Sequence, residues 1–282
     1  MPFVHLHVHS AFSFLDGASD VRVLAERCAD LGMSALAITD HHTVAGVIRF
    51  RHACEKVGVR PIVGAEITLD DASHLTLLAR NALGYENLCR LLSKAHLRHE
   101  RGAPQVCWEW IEQHAEGLVC LTGCARGAVP RAVIRNDMDG ARRTLDRLSA
   151  TFGRGACFVE VQRLGWPGDR ILNAALRGLA ENVGVRVVAT NNVHAATREN
   201  FYLRDIMTCI RTGCRVDEPH PDRRINAEEY LKSPDAMRRA FTNTPGAISN
   251  TERVAEMCEP FVIGGREFLP DYPMHPGEDA GK

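Results

Sequence analysis

The chain has 282 residues, 45% hydrophobic and 24% charged, with Lys+Arg 34 against Asp+Glu 35 for a net charge of -1. That is the composition of a soluble globular protein long enough to bury a large core. The near-zero charge excludes a global basic field, so any affinity for a polyanion would have to come from bound metal or a neighbouring domain.

In chain order, residues 4–8 read as a first strand, followed by a helix over 19–31 capped by Ser19 and stopped at Gly32. A buried strand over 35–38 ends at Thr39-Asp40-His41-His42, and Thr43 can cap a helix to 57. Strand 60–63 runs into Gly64-Ala65-Glu66, and strand 74–79 precedes a helix over 84–97. Strand 117–121 leads to Thr122-Gly123-Cys124, a helix over 137–152 precedes strand 157–161, and helix 169–182 precedes strand 185–189. That last strand runs into Thr190-Asn191-Asn192-Val193-His194. About seven strand–helix units predict an α/β barrel.

Helices are expected at 199–211, 234–241 and 245–258, the second with Ser233 as cap and Pro234 in its first turn. From residue 261 the chain turns rich in Pro and Gly. The expected division is a domain over 1–260, with a barrel core to about 195 and a helical end over 196–260, then a linker-like tail over 261–282. Ten cysteines without a CxxC, no signal-like N-terminus and no apolar run of spanning length read as a reduced, cytoplasmic chain without membrane partners.

The chemistry gathers at strand ends. His5, His7 and His9 alternate with apolar residues, so a strand would point all of them one way. His41, Glu66, Cys124, Asn192 and His194 follow later strands, and Asp16 lies in the first loop. His74 begins its strand and reaches the same place if that strand runs antiparallel to its neighbours. In a parallel barrel those ends open on one face. His7, His9, Asp16, His41, Glu66, His74, Cys124, Asn192 and His194 are therefore the candidate metal ligands, with His5, Asp40 and His42 supporting them. Imidazoles, carboxylates and one thiol suit Zn, Mn or Fe. Two or three ions sharing Glu66 as a bridge would fit so many ligands, and such clusters serve displacement at phosphorus. His52, His96, His99, His114, His220 and His275 lie away from strand ends and read as surface or packing residues.

These residues resemble the PHP (polymerase and histidinol phosphatase) family: His7-Val8-His9 with Asp16-Gly17, then Ile38-Thr39-Asp40-His41, Gly64-Ala65-Glu66, His74 and Asn192-Val193-His194. More narrowly, FVHLHVHSAFSFLDG, ALAITDHH, RPIVGAEI, HLTLLARNALGYENLCRLLSKAHL, LTGCARGAVP and VVATNNVH resemble the N-terminal domain of bacterial C-family DNA polymerases, the DNA polymerase III alpha subunit and its error-prone relatives. The resemblance implies a distorted seven-stranded barrel with a trinuclear site at its C-terminal mouth. It would place one ion among His7, His9, Glu66 and position 192, a second among Glu66, His74 and Cys124, and a third among Asp16, His41 and His194.

Active relatives are similar to Mn- or Zn-dependent 3′–5′ exonucleases acting on a DNA 3′ end within a polymerase chain. Others have lost ligands and stabilise the polymerase instead. The family has Asp where this chain has Asn192, which replaces an anion by one neutral carbonyl oxygen and weakens that ion's hold. The expectation is thus a metal-binding polymerase-associated phosphodiesterase, with a structural metal domain and a free-standing histidinol-phosphatase-like enzyme as alternatives. Nucleotide transfer is not expected of these residues.

Overall fold

The structure, a computed structural model, describes residues 3–261 and residue 263. The tail expected over 261–282 lies almost wholly outside the described residues. Six strands form one sheet in sequence order: β1 (Ala35–Ile38), β2 (Arg60–Thr68), β3 (His74–Ala79), β4 (Leu118–Leu121), β5 (Cys157–Gln162) and β6 (Arg186–Thr190). All neighbours are parallel except β3, which runs antiparallel to both β2 and β4. The short link between β2 and β3 requires this, because a parallel return needs a crossover of a dozen residues or more.

The helices are α1 (Val21–Asp30), α2 (Val47–Lys56), α3 (Ala82–Arg98), α4 (Trp108–Gln113), α5 (Ala128–Ile134), α6 (Met138–Phe152), α7 (Asp169–Val183), α8 (Phe201–Thr212), α9 (Pro234–Ala240) and α10 (Pro245–Met257). Two caps differ from expectation. Asp20, not Ser19, caps α1, and the Ser19 hydroxyl instead accepts from the Ala196 amide at 2.8 Å. Thr43 closes a turn onto Ala45, so α2 starts later, at Val47.

The opening segment also departs from the reading of a regular strand. His5 bridges Leu36 and Val8 bridges Val193, both in parallel, so the segment lies between β1 and the residues that follow β6. Its backbone accepts from Ala37 (2.9 Å) and Thr39 (2.7 Å) on one side and from Val193 (3.0 Å) on the other. The pairing is interrupted because side chains take some of its amides: Val8 donates to Thr39 Oγ1 (2.9 Å) and Val4 to Thr251 Oγ1 (3.1 Å). The described architecture is therefore a curled six-stranded sheet whose two edges are joined through isolated bridges.

Alternation along the strands divides one face into two layers. Val4, Leu6, Ile62, Leu78, Phe158 and Val188 are buried together with Val254 and Ala255 of α10. Continuing the same face by steps of two gives Gly64 and Glu66 on β2, Thr76 and His74 on β3, Glu160 on β5 and Thr190 on β6. Apolar packing thus forms a floor, and the polar side chains stand on it. Because β3 runs backwards, it brings its first residue, His74, to this polar layer.

Candidate metal centre

Glu66 is the hub of the polar layer. Its side chain is almost fully buried, and His41 Nδ1 (2.8 Å), His74 Nδ1 (3.2 Å), His7 Nε2 (3.4 Å) and His9 Nε2 (3.7 Å) surround its two oxygens. Cys124 Sγ lies 3.8 Å from Oε1. Burial would raise the Glu66 pKa, but His74, then His41 and His7, hold it well below the usual carboxylate range.

His7 is held from behind. Its Nδ1 donates to Glu160 Oε1 at 2.7 Å, leaving Nε2 facing Glu66 and, at 3.1 Å, His9 Nε2. Burial works against a charged His7, yet Glu160 and then Glu66 raise its pKa to about 10. The two carboxylates call for a cation between them, and a proton is one way to supply it. Glu160 in turn accepts from Gln162 Nε2 (2.6 Å) and from the Thr190 hydroxyl.

Burial and the neighbouring His194, stacked at 4.2 Å, drive the His9 pKa far down and keep that ring neutral, the state a metal ligand needs. Its Nδ1 bonds Ser13 Oγ at 3.0 Å, and Ser13 donates to Asp40 Oδ1 at 2.7 Å. Asp40 also takes the Ser10 amide (2.6 Å) and hydroxyl (2.7 Å), so it fixes the loop that orients His9.

His42 is turned to another task. Burial, then His41, lowers its pKa to about 3, and its Nε2 accepts the Thr68 amide at 2.8 Å. His5 also points elsewhere, donating from Nε2 to the Lys232 carbonyl at 2.9 Å. His96, read as surface or packing, donates to the His42 carbonyl at 2.8 Å and so steadies this wall.

Asp16, Asn192 and His194 form a separate corner. Asp16 Oδ2 meets His194 Nε2 at 3.2 Å, and His194 Nδ1 donates to the Asn192 carbonyl at 2.8 Å. His41, which the resemblance grouped with Asp16 and His194, stands instead with Glu66 and His74, its ring 5.0 Å from that of His74. Asn192 takes a positive φ of 43° and donates from Nδ2 to Glu229 Oε1 at 3.0 Å. Glu229 is also bound by Arg204 and by Arg224 Nε at 3.0 Å. Beside this corner opens a cavity of about 580 Å³ bounded by Cys124, Glu160, Asn192, Arg224 and Trp166.

Glu160, Arg204, Arg224 and Glu229 were not among the residues singled out by sequence. Glu160 carried a signal: it is the one charge in the strand Cys-Phe-Val-Glu-Val-Gln, where burial demands a partner. Arg204 sits in an amphipathic helix and Glu229 beside another glutamate, and neither pattern distinguishes them from solvated residues.

Among the described residues, two groups have ligand atoms within 4.8 Å of one another and could hold an ion: His7, His9 and Glu66, and His41, Glu66 and His74. Imidazole nitrogens gathered on one buried carboxylate, with the Cys124 thiol beside it, are a donor set that fits a divalent metal.

The family model for the PHP domain matches residues 5–164. The chain belongs to the PHP domain family. The error-prone DNA polymerase of Symbiobacterium thermophilum is 41% identical over 96% of this PHP chain and 26% of its own length. The DNA polymerase III subunit alpha of Escherichia coli K12 is 35% identical over 96% of this chain and 24% of its own length. The PHP chain thus spans about a quarter of the length of these curated relatives. Among solved structures, a candidate metal-dependent phosphoesterase from Bifidobacterium adolescentis superposes with a TM-score of 0.50 at 18% identity, over 86% of this chain and 96% of that one. That likeness concerns the fold. Asn192, His194, Arg204 and Glu229 lie beyond the stretch matched by the family model. Among the described residues no helix is long and apolar enough to cross a membrane.

Proposed function

We propose that this PHP domain binds two divalent ions, Mn or Zn, across Glu66 and hydrolyses phosphodiesters as a 3′–5′ exonuclease within a DNA polymerase chain. His7 and His9 would hold one ion, with Asn192 Oδ1 as a neutral fourth donor. His41, His74 and Cys124 would hold the other. The single observation that carries the reading is the Glu66 carboxylate, buried among four imidazoles.

When bound, divalent ions supply Lewis-acid polarisation of a phosphoryl oxygen and lower the pKa of an attacking water. The chain's own part is orientation. Glu160 fixes the His7 tautomer, Ser13 and Asp40 fix His9, and Thr68 Oγ1, 2.9 Å from His41 Nε2, fixes His41. Arg224 lines one side of the cavity, its Nε held by Glu229.

The test is shortening of a mismatched 3′ DNA end by the chain with Mn²⁺, abolished by His9→Ala. A second reading is favoured by Asn192, whose amide turns towards Glu229: ions that hold the sheet together without turnover. Metal bound with no cleavage of any 3′ end would decide for that reading, and absence of bound metal would remove both.

A further inference from the structure

We infer that the Arg204 guanidinium stands where a third cation would, so that this chain loads two ions and not three. The inference rests on the reading of Glu66 as a bridging ligand. Around Asp16, the arrangement that invites a metal at Glu66 is absent. Arg204 is 4% exposed, an unusual state for an arginine unless its charge is matched. Nη1 binds Glu229 Oε2 and Nη2 reaches Asp16 Oδ1 at 3.5 Å, so one planar fork spans both carboxylates. Arg224 Nε binds the same Glu229 oxygen at 3.0 Å.

The charge count differs between the two places. Near Glu66, the carboxylates of Glu66 and Glu160 have, among the described residues, no lysine or arginine within ion-pair distance and meet histidines instead. In the other corner, Asp16 and Glu229 already face Arg204 and Arg224, so their charges cancel. A divalent ion added there would leave buried positive charge without a counterion.

The oxygens of Asp16 are also engaged, one on His194 and the other on Arg204. Arg204 thus sets a fixed cation beside Asp16, in the corner where the third ion would need that carboxylate.

The experiment is elemental analysis of the 282-residue chain after saturation with Mn²⁺ and desalting, with thermal melting alongside. The expected result is two ions in the wild type. Arg204→Gln should take up a third, more weakly held ion. Its melting temperature should rise at Mn²⁺ concentrations that no longer raise that of the wild type, while Arg204→Lys stays at two.

Three ions in the wild type, or two in a folded Arg204→Gln chain at saturating Mn²⁺, would overturn the inference and leave the Glu66 reading standing. No ions in the wild type would overturn both. Should Arg204→Gln fail to fold, the wild-type count decides alone.

Discussion

The Glu160 carboxylate lies 2.7 Å from His7 Nδ1 and so decides which nitrogen His7 turns to Glu66. A carboxylate behind a ligating imidazole fixes its tautomer and raises its basicity, and losing such a partner costs about 10–100-fold in metal affinity. Glu160→Gln keeps the shape and the accepting oxygen but removes the charge. The expected outcome is a loss of Mn²⁺ affinity in that range, read by competition with a chromogenic chelator. Unchanged affinity would mean that Glu160 serves only to tie β5 to β6 through Thr190.

Removing metal should cost stability. An ion that binds only the folded state adds about 2.7 kcal/mol at a concentration of 100 times its Kd. For a domain of this size each kcal/mol moves the melting temperature by about 2–4 °C. A fall of roughly 5–10 °C per ion is therefore expected in chelator, reversed by adding Mn²⁺ or Zn²⁺. Calorimetric melts with and without chelator check this, and coincident melts would count against ligation at Glu66.

Most of the site was legible because strand ends are legible. Residues such as Glu66 and Cys124 each follow a short apolar run, and the short link after β2 makes β3 reverse, bringing His74 in at its start. What escaped depends on tertiary pairing. The first strand is broken because Thr39 and Thr251 hydroxyls take its amides, and no local pattern announces that. The six-residue α4 and seven-residue α5 are too short to show a helical period. Arg204 and Glu229 join across the fold, 25 residues apart, so only their shared burial reveals them.

Gly64 tests whether the β2–β3 hairpin sets the spacing of the centre. A Cβ there would come within 2.3 Å of the Leu77 carbonyl oxygen, on the neighbouring strand that carries His74. Gly64→Ala must push β3 from β2 and so part His74 from Glu66. A destabilisation of about 1–3 kcal/mol is expected from the overpacking, together with loss of the ion held by His41 and His74 before that held by His7 and His9. Gly58→Ala is the control: its φ is +70° and nothing lies within 4 Å of the added carbon, so it should cost about 1 kcal/mol of backbone strain and leave metal content intact.

Asn192→Asp sets two demands against each other. The amide nitrogen now donates to Glu229 Oε1 at 3.0 Å, and a carboxylate would bring an acceptor with like charge to the same place. Burial, opposed first by Arg204 and then by Arg224, leaves Glu229 with a lowered pKa, so it offers no proton to relieve the contact. Without metal the variant should lose about 1–3 kcal/mol, the cost of an unpaired buried group. With metal the balance reverses, because an anionic oxygen replaces a neutral one beside His7 and His9. The expected signature is a lower melting temperature in chelator but a larger rise on adding Mn²⁺ than in the wild type, with faster shortening of a mismatched 3′ DNA end. Equal Mn²⁺-induced rises in the two proteins would show that position 192 does not contact the ion, and the neutral fourth donor assigned to it would have to be given up.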